Sequence, residues 1–350
     1  MAERTLERTL SERELRLALL ARQLLVERAD LKLPVAVERA GELQTQYAPS
    51  GYIGLWTRVA GFQRRDLTEA LERRRIVQAT MMRTTIHMAS KRDYWPLTEG
   101  VRTARREGWA RAVRGRVDVR QMRRAADGVR RLLSDGPRRR SEIVKALGLD
   151  NPTWIGAGLW VDMVRVPPWG TWDQRRADLY GLAEDWLGPS KATFNEGLDL
   201  LVQRYLGAFG PAARRDIANW AGLSVNALTP AIERLKLRRF RDELGAELLD
   251  LPRAPLPDPE TPVPVRFLPT WDATLLVHAR RTQILPERSR ERVFHVKTPH
   301  SVSTFLVDGQ VAGAWKHERG RIRIEPFDRV HRAARRELDD EAERLASFMA

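Results

Sequence analysis

Apolar positions at helical spacing first appear at Leu15, Leu19, Leu20 and Leu24, behind a Ser11-x-x-Glu14 capping box, and predict a helix after Ser11. Pro34 opens a second helix, over 35–46, which stops ahead of Ala48-Pro49-Ser50-Gly51. A third carries Tyr52, Leu55, Trp56 and Val59 on one face and ends near Gly61. After a short acidic-capped helix over 66–74 the period changes. The β-branched runs 76–80 and 84–88, separated by Met81-Met82-Arg83, predict two adjacent strands. Three helices followed by a hairpin is the order of a winged helix.

The pattern recurs twice. Helical runs at 129–133 and 141–147 are followed by candidate strands 163–166 and 177–180, which flank the loop Pro167-Pro168-Trp169-Gly170-Thr171-Trp172. A third copy spans 198–251, with candidate wing strands at 239–240 and 247–249. Asp135-Gly136-Pro137-Arg138 and Phe209-Gly210-Pro211-Ala212 mark the same helix-to-helix junction in the second and third copies. A period near seventy residues suits tandem small domains better than a solenoid. Six prolines between 252 and 264 then form a stiff linker. Beyond it, short strands are predicted at 263–268, 274–277, 293–296, 303–307, 311–315 and 321–326, with a hairpin turn at Asp308-Gly309. A charged helix over 328–349 closes the chain. The expected fold is mainly α with β (α+β): three tandem winged helices and a small C-terminal β-barrel. The expected divisions are 1–122, 123–187, 188–255, 256–328 and 329–350.

Charge narrows the partner. The 350 residues hold 61 basic and 46 acidic side chains, a formal net charge of +15. Fourteen arginines against four acids between Val101 and Arg140 supply two-thirds of that excess. So concentrated a field suits a polyphosphate, because each neutralised phosphate releases counterions. The absence of cysteine excludes disulfides, thiolate metal sites and cysteine nucleophiles, and fits a reducing cytoplasm. No signal-peptide core and no apolar run of bilayer length is visible, so a bacterial cytoplasmic, nucleoid-associated protein is expected, with no membrane partner.

Enzyme signatures of the usual kinds are missing. The six histidines show no HxH or HExxH spacing, no glycine-rich phosphate loop follows a strand, and no G-x-S-x-G elbow occurs. No metal and no cofactor are expected. Two features remain: Leu43-Gln44-Thr45-Gln46-Tyr47 at the end of the second predicted helix, and Met82-Arg83-Thr84-Thr85-Ile86-His87-Met88. Gln44 and Gln46 do not share a helix face, but at a fraying terminus both can point into one cleft. On spacing alone, ordinary surface polarity explains them better than function does.

The run from Leu43 to Val59, LQTQYAPSGYIGLWTRV, closely resembles the opening signature of the AlkZ/YcaQ-type DNA glycosylases, a winged-helix family. Met82-Arg83-Thr84-Thr85-Ile86-His87, the stretch YLGAFGPA from Tyr205, the stretch FLPTWD from Phe267, and the hairpin from Val307 to Trp315 look like further landmarks of that family. They span residues 40 to 327 in the expected order. The resemblance implies three winged helices in a C shape around DNA, plus a small barrel. It also implies a Gln-Φ-Gln catalytic motif, which falls on Gln44 and Gln46, with Thr45 where the family has an aliphatic residue. The implied activity is monofunctional hydrolysis of the N-glycosidic bond of bulky N7-alkylated purines, in some members within interstrand crosslinks, serving repair or self-resistance to a genotoxic natural product.

That chemistry suits glutamine. An N7-alkylguanine is already cationic and leaves without a strong general acid, so the enzyme must stabilise an oxocarbenium-like sugar and deliver water to C1′. Without a lysine in the motif, no Schiff-base lyase step is expected. A bulky lesion is expected to stay in the duplex, within an open cleft, and not to be flipped into a tight pocket. The expected partner is double-stranded DNA carrying alkylated purines, bound by a monomer. Candidate DNA contacts are Ser50, Tyr52, Arg58, Arg83, Thr85 and His87, the arginines from 102 to 140, and Arg280, Arg281 and Arg288 in a loop between barrel strands. Two other readings stay open. In one the chain is a winged-helix transcriptional regulator whose glutamines read bases; in the other it is a protein-interaction module.

Overall fold

A computed structural model describes residues 6–276, 282–294 and 301–350. The fold is mixed α and β, with long helices packed against three small sheets. Ser11 caps the helix Glu12–Arg22, and the capping box with Glu14 closes as its spacing predicts. The predicted second helix breaks early. It covers Leu33–Arg39, because Gly41 and Glu42 both take left-handed φ values of 74° and 63°, after which Leu43–Gln44 is a strand. The buried Gln23 holds the helix end through a 3.0 Å bond from Nε2 to the Ala40 carbonyl.

Helices Ala48–Trp56 and Arg64–Glu72 follow, then strands Ile76–Thr80 and Ile86–Ser90. The order helix, short strand, helix, helix, hairpin returns in Val119–Leu133, Arg138–Arg139, Arg140–Leu147, Asn151–Ala157, Met163–Arg165 and Leu179–Leu182. It returns again in Phe194–Phe209, a bridge at Ala212, Arg214–Ala221, Val225–Arg234, Arg238–Asp242 and Glu247–Asp250. In each case the short strand pairs with the second hairpin strand. The first two sets join into one six-stranded sheet through Ile76–Thr80 and Met163–Arg165, which pair antiparallel. The third hairpin instead gains Thr9–Leu10, which pairs parallel to Arg241–Asp242.

The helix Lys91–Ala112 connects the first and second sets and packs along Phe194–Phe209. Gly100 and Gly197 permit the crossing: a Cβ on Gly197 would lie 2.4 Å from the Pro96 carbonyl oxygen. The largest core runs through all three sets, from Leu19 and Val77 to Leu97, Val164, Leu201 and Ile217.

The C-terminal strands depart from the sequence expectation. Arg266–Leu268, Thr304–Val307, Gln310–Glu318 and Arg321–Pro326 form an open four-stranded antiparallel sheet, and no closed barrel is present among the described residues. Closure is unnecessary because the helix Arg332–Met349 covers the apolar face, setting Leu338 and Leu345 in one core with Phe267, Phe305 and Trp315. Val293 ends a short helix, Arg290–Val293, and residues 272–276 form turns where a strand was predicted. Phe294 makes an isolated antiparallel bridge with Ser301, and residues 277, 295 and 296 of those two predicted strands lie outside the described residues.

Candidate functional site

Gln44 belongs to a strand, and that changes how the two glutamines relate. In an extended chain residues i and i+2 project to the same side. Gln44 lies opposite His87 and Leu43 opposite Met88. Thr45 N–H then donates to the Ile86 carbonyl at 2.8 Å. The return bond of that ladder is made by a side chain: Ile86 N–H donates to Gln46 Oε1 at 2.9 Å. Gln46 therefore ends the pairing with its own amide group and is fixed there. Thr45 points the other way, 2% exposed, against the helix Ala48–Trp56, where a Cβ on Gly51 would meet Thr45 Cγ2 at 2.9 Å.

Arg83 holds the first glutamine. It sits in the tight turn between Ile76–Thr80 and Ile86–Ser90, where Arg83 and Thr84 adopt φ of 52° and 60°. Two consecutive non-glycine residues in the left-handed region cost about 1–2 kcal/mol each, strain of the kind that collects at functional sites. The turn aims Arg83 Nη2 at Gln44 Oε1, 2.9 Å away, while Nη1 donates to the Trp220 carbonyl. Burial pushes the Arg83 guanidinium down to about 10, so it stays cationic at neutral pH. Both glutamine carbonyls thus have one acceptor site filled and one free. Gln44 accepts from a cation, which polarises its amide toward donation, whereas Gln46 accepts from a neutral backbone amide and keeps more acceptor strength.

His87 shares the Gln44 face but cannot serve as an acid. It is 1% exposed, and burial, together with Arg83 and Arg105, lowers it to about 3, so the ring is neutral and donates from Nδ1 to the Thr85 carbonyl at 3.1 Å. Several other expected DNA contacts also prove to be interior. Tyr52 is fully buried, its hydroxyl 2.9 Å from Thr68 Oγ1. Arg58 is 1% exposed and makes a bidentate pair with Asp272, 2.9 Å on both arms, plus a bond to Gln23 Oε1. Ser50 is buried with its Oγ 2.9 Å from Thr270 Oγ1. Charge and motif membership suggested contact, but a guanidinium with a buried carboxylate partner is already satisfied. Thr85 is half-buried and donates to the Met82 carbonyl. Arg288 is exposed, with Asp328 at 3.3 Å. Arg280 and Arg281 lie outside the described residues.

The basic block from 102 to 140 divides. Arg102 pairs with Glu99 and Asp162, Arg130 with Glu184, and Arg106 donates to the Leu159 carbonyl. Arg114, Arg120, Arg123, Arg124 and Arg131 are exposed and have no ion-pair partner among the described residues.

Gln46, Arg83 and Ile86 stand on the rim of a cavity of about 610 Å³ between the first and second sets of elements. Its wall mixes Tyr94, Trp109, Trp154 and Tyr180 with Arg105, Arg140 and Arg165. Arg105 and Arg140 belong to the arginine block expected to contact DNA; the other five carried no site expectation. The available signal was the interleaving of arginine with aromatics along 94–180. A second cavity, about 720 Å³, opens on the other side of Tyr47 toward Thr270, Lys316 and His317 of the C-terminal sheet.

A sequence profile described as "DNA glycosylase AlkZ-like" matches residues 37–348. In three dimensions the chain is similar to the DNA glycosylase AlkZ of Streptomyces sahachiroi, with a TM-score of 0.81 at 18% identity over 97% of each chain. That likeness shows the fold. No curated protein sequence matches.

Proposed function

The chain belongs to the AlkZ-like DNA glycosylase family, and on that premise we propose that it hydrolyses the N-glycosidic bond of bulky N7-alkylated purines in double-stranded DNA, including interstrand crosslinks. Gln44 and Gln46 are the catalytic pair. Water adds to C1′ as the C1′–N9 bond breaks, the bonding electrons neutralise the cationic purine, and the proton of the incoming water passes to solvent. Gln46 orients that water through the free acceptor site of its Oε1. Gln44 presents its amide N–H groups to sugar or phosphate oxygen. Neutral dipoles stabilise the developing cation less than a carboxylate would, so the pair suits leaving groups that arrive activated by their own charge.

The observation that carries this reading is the fixing of both side-chain carbonyls, Gln44 by Arg83 at 2.9 Å and Gln46, two residues on, by Ile86 N–H at 2.9 Å. Pre-organised amides of that kind belong to a site, since an ordinary surface glutamine gains nothing from such anchoring. The repeated element order supports tandem winged helices over 1–122, 123–187 and 188–255, followed by 256–328 and the closing helix 329–350. The exposed arginines near Val119–Leu133, with Arg288 beyond the linker, supply phosphate contacts for a monomer on DNA.

The test offers the protein duplexes carrying N7-methylguanine or a nitrogen-mustard crosslink. Release of the free modified base, leaving an alkali-labile abasic site without strand cleavage by the protein, is the expected result. Tight duplex binding without abasic product contradicts it and favours a regulator.

A further inference from the structure

Arg83 is a cation without a counterion. No carboxylate pairs with it among the described residues, and burial alone pushes its guanidinium down to about 10. Its two acceptors are both neutral: Gln44 Oε1 at 2.9 Å, and the main-chain carbonyl of Trp220. That carbonyl belongs to a helix end. Trp220 lies in the last turn of Arg214–Ala221, which Gly222 closes in the left-handed region at φ 73°. The last four carbonyls of a helix have no partner within it. Here the N–H groups of Gly222 and Leu223 take that of Ala218, at 2.9 and 3.0 Å, and Arg83 takes that of Trp220. The guanidinium and the helix end thus satisfy each other, and the negative pole of the helix offsets part of the charge.

The two segments fit closely. A Cβ added to Gly222 would stand 3.2 Å from Arg83 Cγ and 3.3 Å from its backbone nitrogen, in the turn where Arg83 and Thr84 are already left-handed. Trp220 itself is 1% exposed, with the rings of Tyr205 and Phe209 at 5.6 and 6.4 Å, so the helix end has a fixed place in the core that all three sets share. Gln44 stands on a strand of two residues, which does little by itself to fix a side chain. The guanidinium is a rigid planar fork, so anchoring one arm on the Trp220 carbonyl fixes where the other arm points. A carboxylate in the same place would take two arms of the fork and leave Gln44 without its donor.

We propose that the helix end Trp220–Gly222 is a positioning element of the catalytic centre: it sets the guanidinium of Arg83 and, through it, the carboxamide of Gln44. The third set of elements then takes part in bond cleavage through a single main-chain carbonyl, more than 170 residues away from the motif in sequence. The inference rests on the glycosylase reading above, and the experiment separates the failure of one from the failure of the other.

The test is a double-mutant cycle on the purified full-length protein, read as the single-turnover rate on duplex DNA carrying N7-methylguanine. Gly222→Asn keeps the left-handed backbone, which asparagine tolerates, but sets its Cβ against Arg83. A shift of a few tenths of an ångström at Arg83 should lower the rate by about threefold to tenfold and leave duplex affinity within about twofold. In the Arg83→Met background the same substitution should have no further effect on the rate, whereas a loss of stability alone would act equally in both backgrounds. Arg83→Lys is the independent variant, because one ammonium cannot span both acceptors; it should lose about tenfold in rate and keep its affinity. Melting temperatures report whether each variant is folded. A wild-type rate in folded Gly222→Asn or in Arg83→Lys overturns the proposal. So do equal losses in the two backgrounds, and so does a loss of duplex affinity as large as the loss of rate, which would assign Arg83 to holding DNA. Failure of the wild type to excise N7-methylguanine overturns the glycosylase reading itself.

Discussion

Thr45 stands between the two glutamines and anchors them, because its side chain is driven into the core on the opposite side from theirs, Gln44 being 8% exposed and Gln46 open to solvent. Its methyl fills the space beside Gly51, but its Oγ1 is buried without a partner. An unsatisfied buried hydroxyl costs about 1–3 kcal/mol. Thr45→Val keeps the shape and removes that cost, so denaturant unfolding should show a gain of about 1 kcal/mol with excision within about twofold of wild type. Glu42 is the second anomaly, a carboxylate at positive φ with both oxygens buried and unpartnered. Burial, reinforced by Asp93, raises its pKa well above 4.5. Because the folded pKa exceeds the unfolded one, the native state binds the extra proton. The stability Glu42 contributes is complete below pH 4.5 and declines as pH rises above it. Glu42→Gln should melt higher than wild type at pH 8, with the difference shrinking toward pH 4.5. A pH-independent difference would contradict this.

At the level of elements, the glutamine strand is held by segments far away in sequence. Ser50 meets Thr270, and Arg58 meets Asp272 and Thr274, so the turns that follow the strand Arg266–Leu268 clamp the helix after the motif. The resemblance marked both segments but not their docking, and the charge of Arg58 pointed toward DNA. Removing one partner of a buried pair leaves an uncompensated charge worth about 3–5 kcal/mol. Arg58→Met is therefore expected to lower unfolding stability by that amount, while variants that remain folded bind duplex normally. A selective loss of DNA affinity at full stability would return Arg58 to the DNA interface. The strand at 76–80 was legible from β-branching, its partner was expected at 84–88 and runs over Ile86–Ser90, and the helix after Ser11 was legible from its capping box. The strand at Leu43–Gln44 was not, because two residues carry no periodicity and its existence depends on pairing with Ile86–Ser90. The Arg105 cavity was hidden for a similar reason: its walls come from elements that meet only after folding.

Across the whole molecule, the excess of positive charge resolves into spent and available parts. Arg102, Arg111, Arg130 and Arg138 form ion pairs, Arg105 and Arg140 line the cavity beside Gln46, and Arg120, Arg123, Arg124 and Arg131 stand exposed on Val119–Leu133 without an ion-pair partner among the described residues. If they hold phosphates, replacing Arg120, Arg123 and Arg124 together with serine should reduce the slope of log Kd against log salt by about 2–3, near 0.9 for each phosphate no longer neutralised. An unchanged slope would place the phosphate contacts elsewhere. No helix among the described residues is long and apolar enough to cross a membrane. The division of labour that emerges gives holding to arginine and bond cleavage to two neutral amides. Its most direct test is single-turnover excision of N7-methylguanine from duplex DNA by wild type, Gln44→Ala and Gln46→Ala, with duplex affinity measured alongside. Either substitution should lower the excision rate by about a hundredfold or more, as loss of a pre-organised dipole does, and leave affinity within a few-fold. Excision at the wild-type rate by both variants would contradict the account.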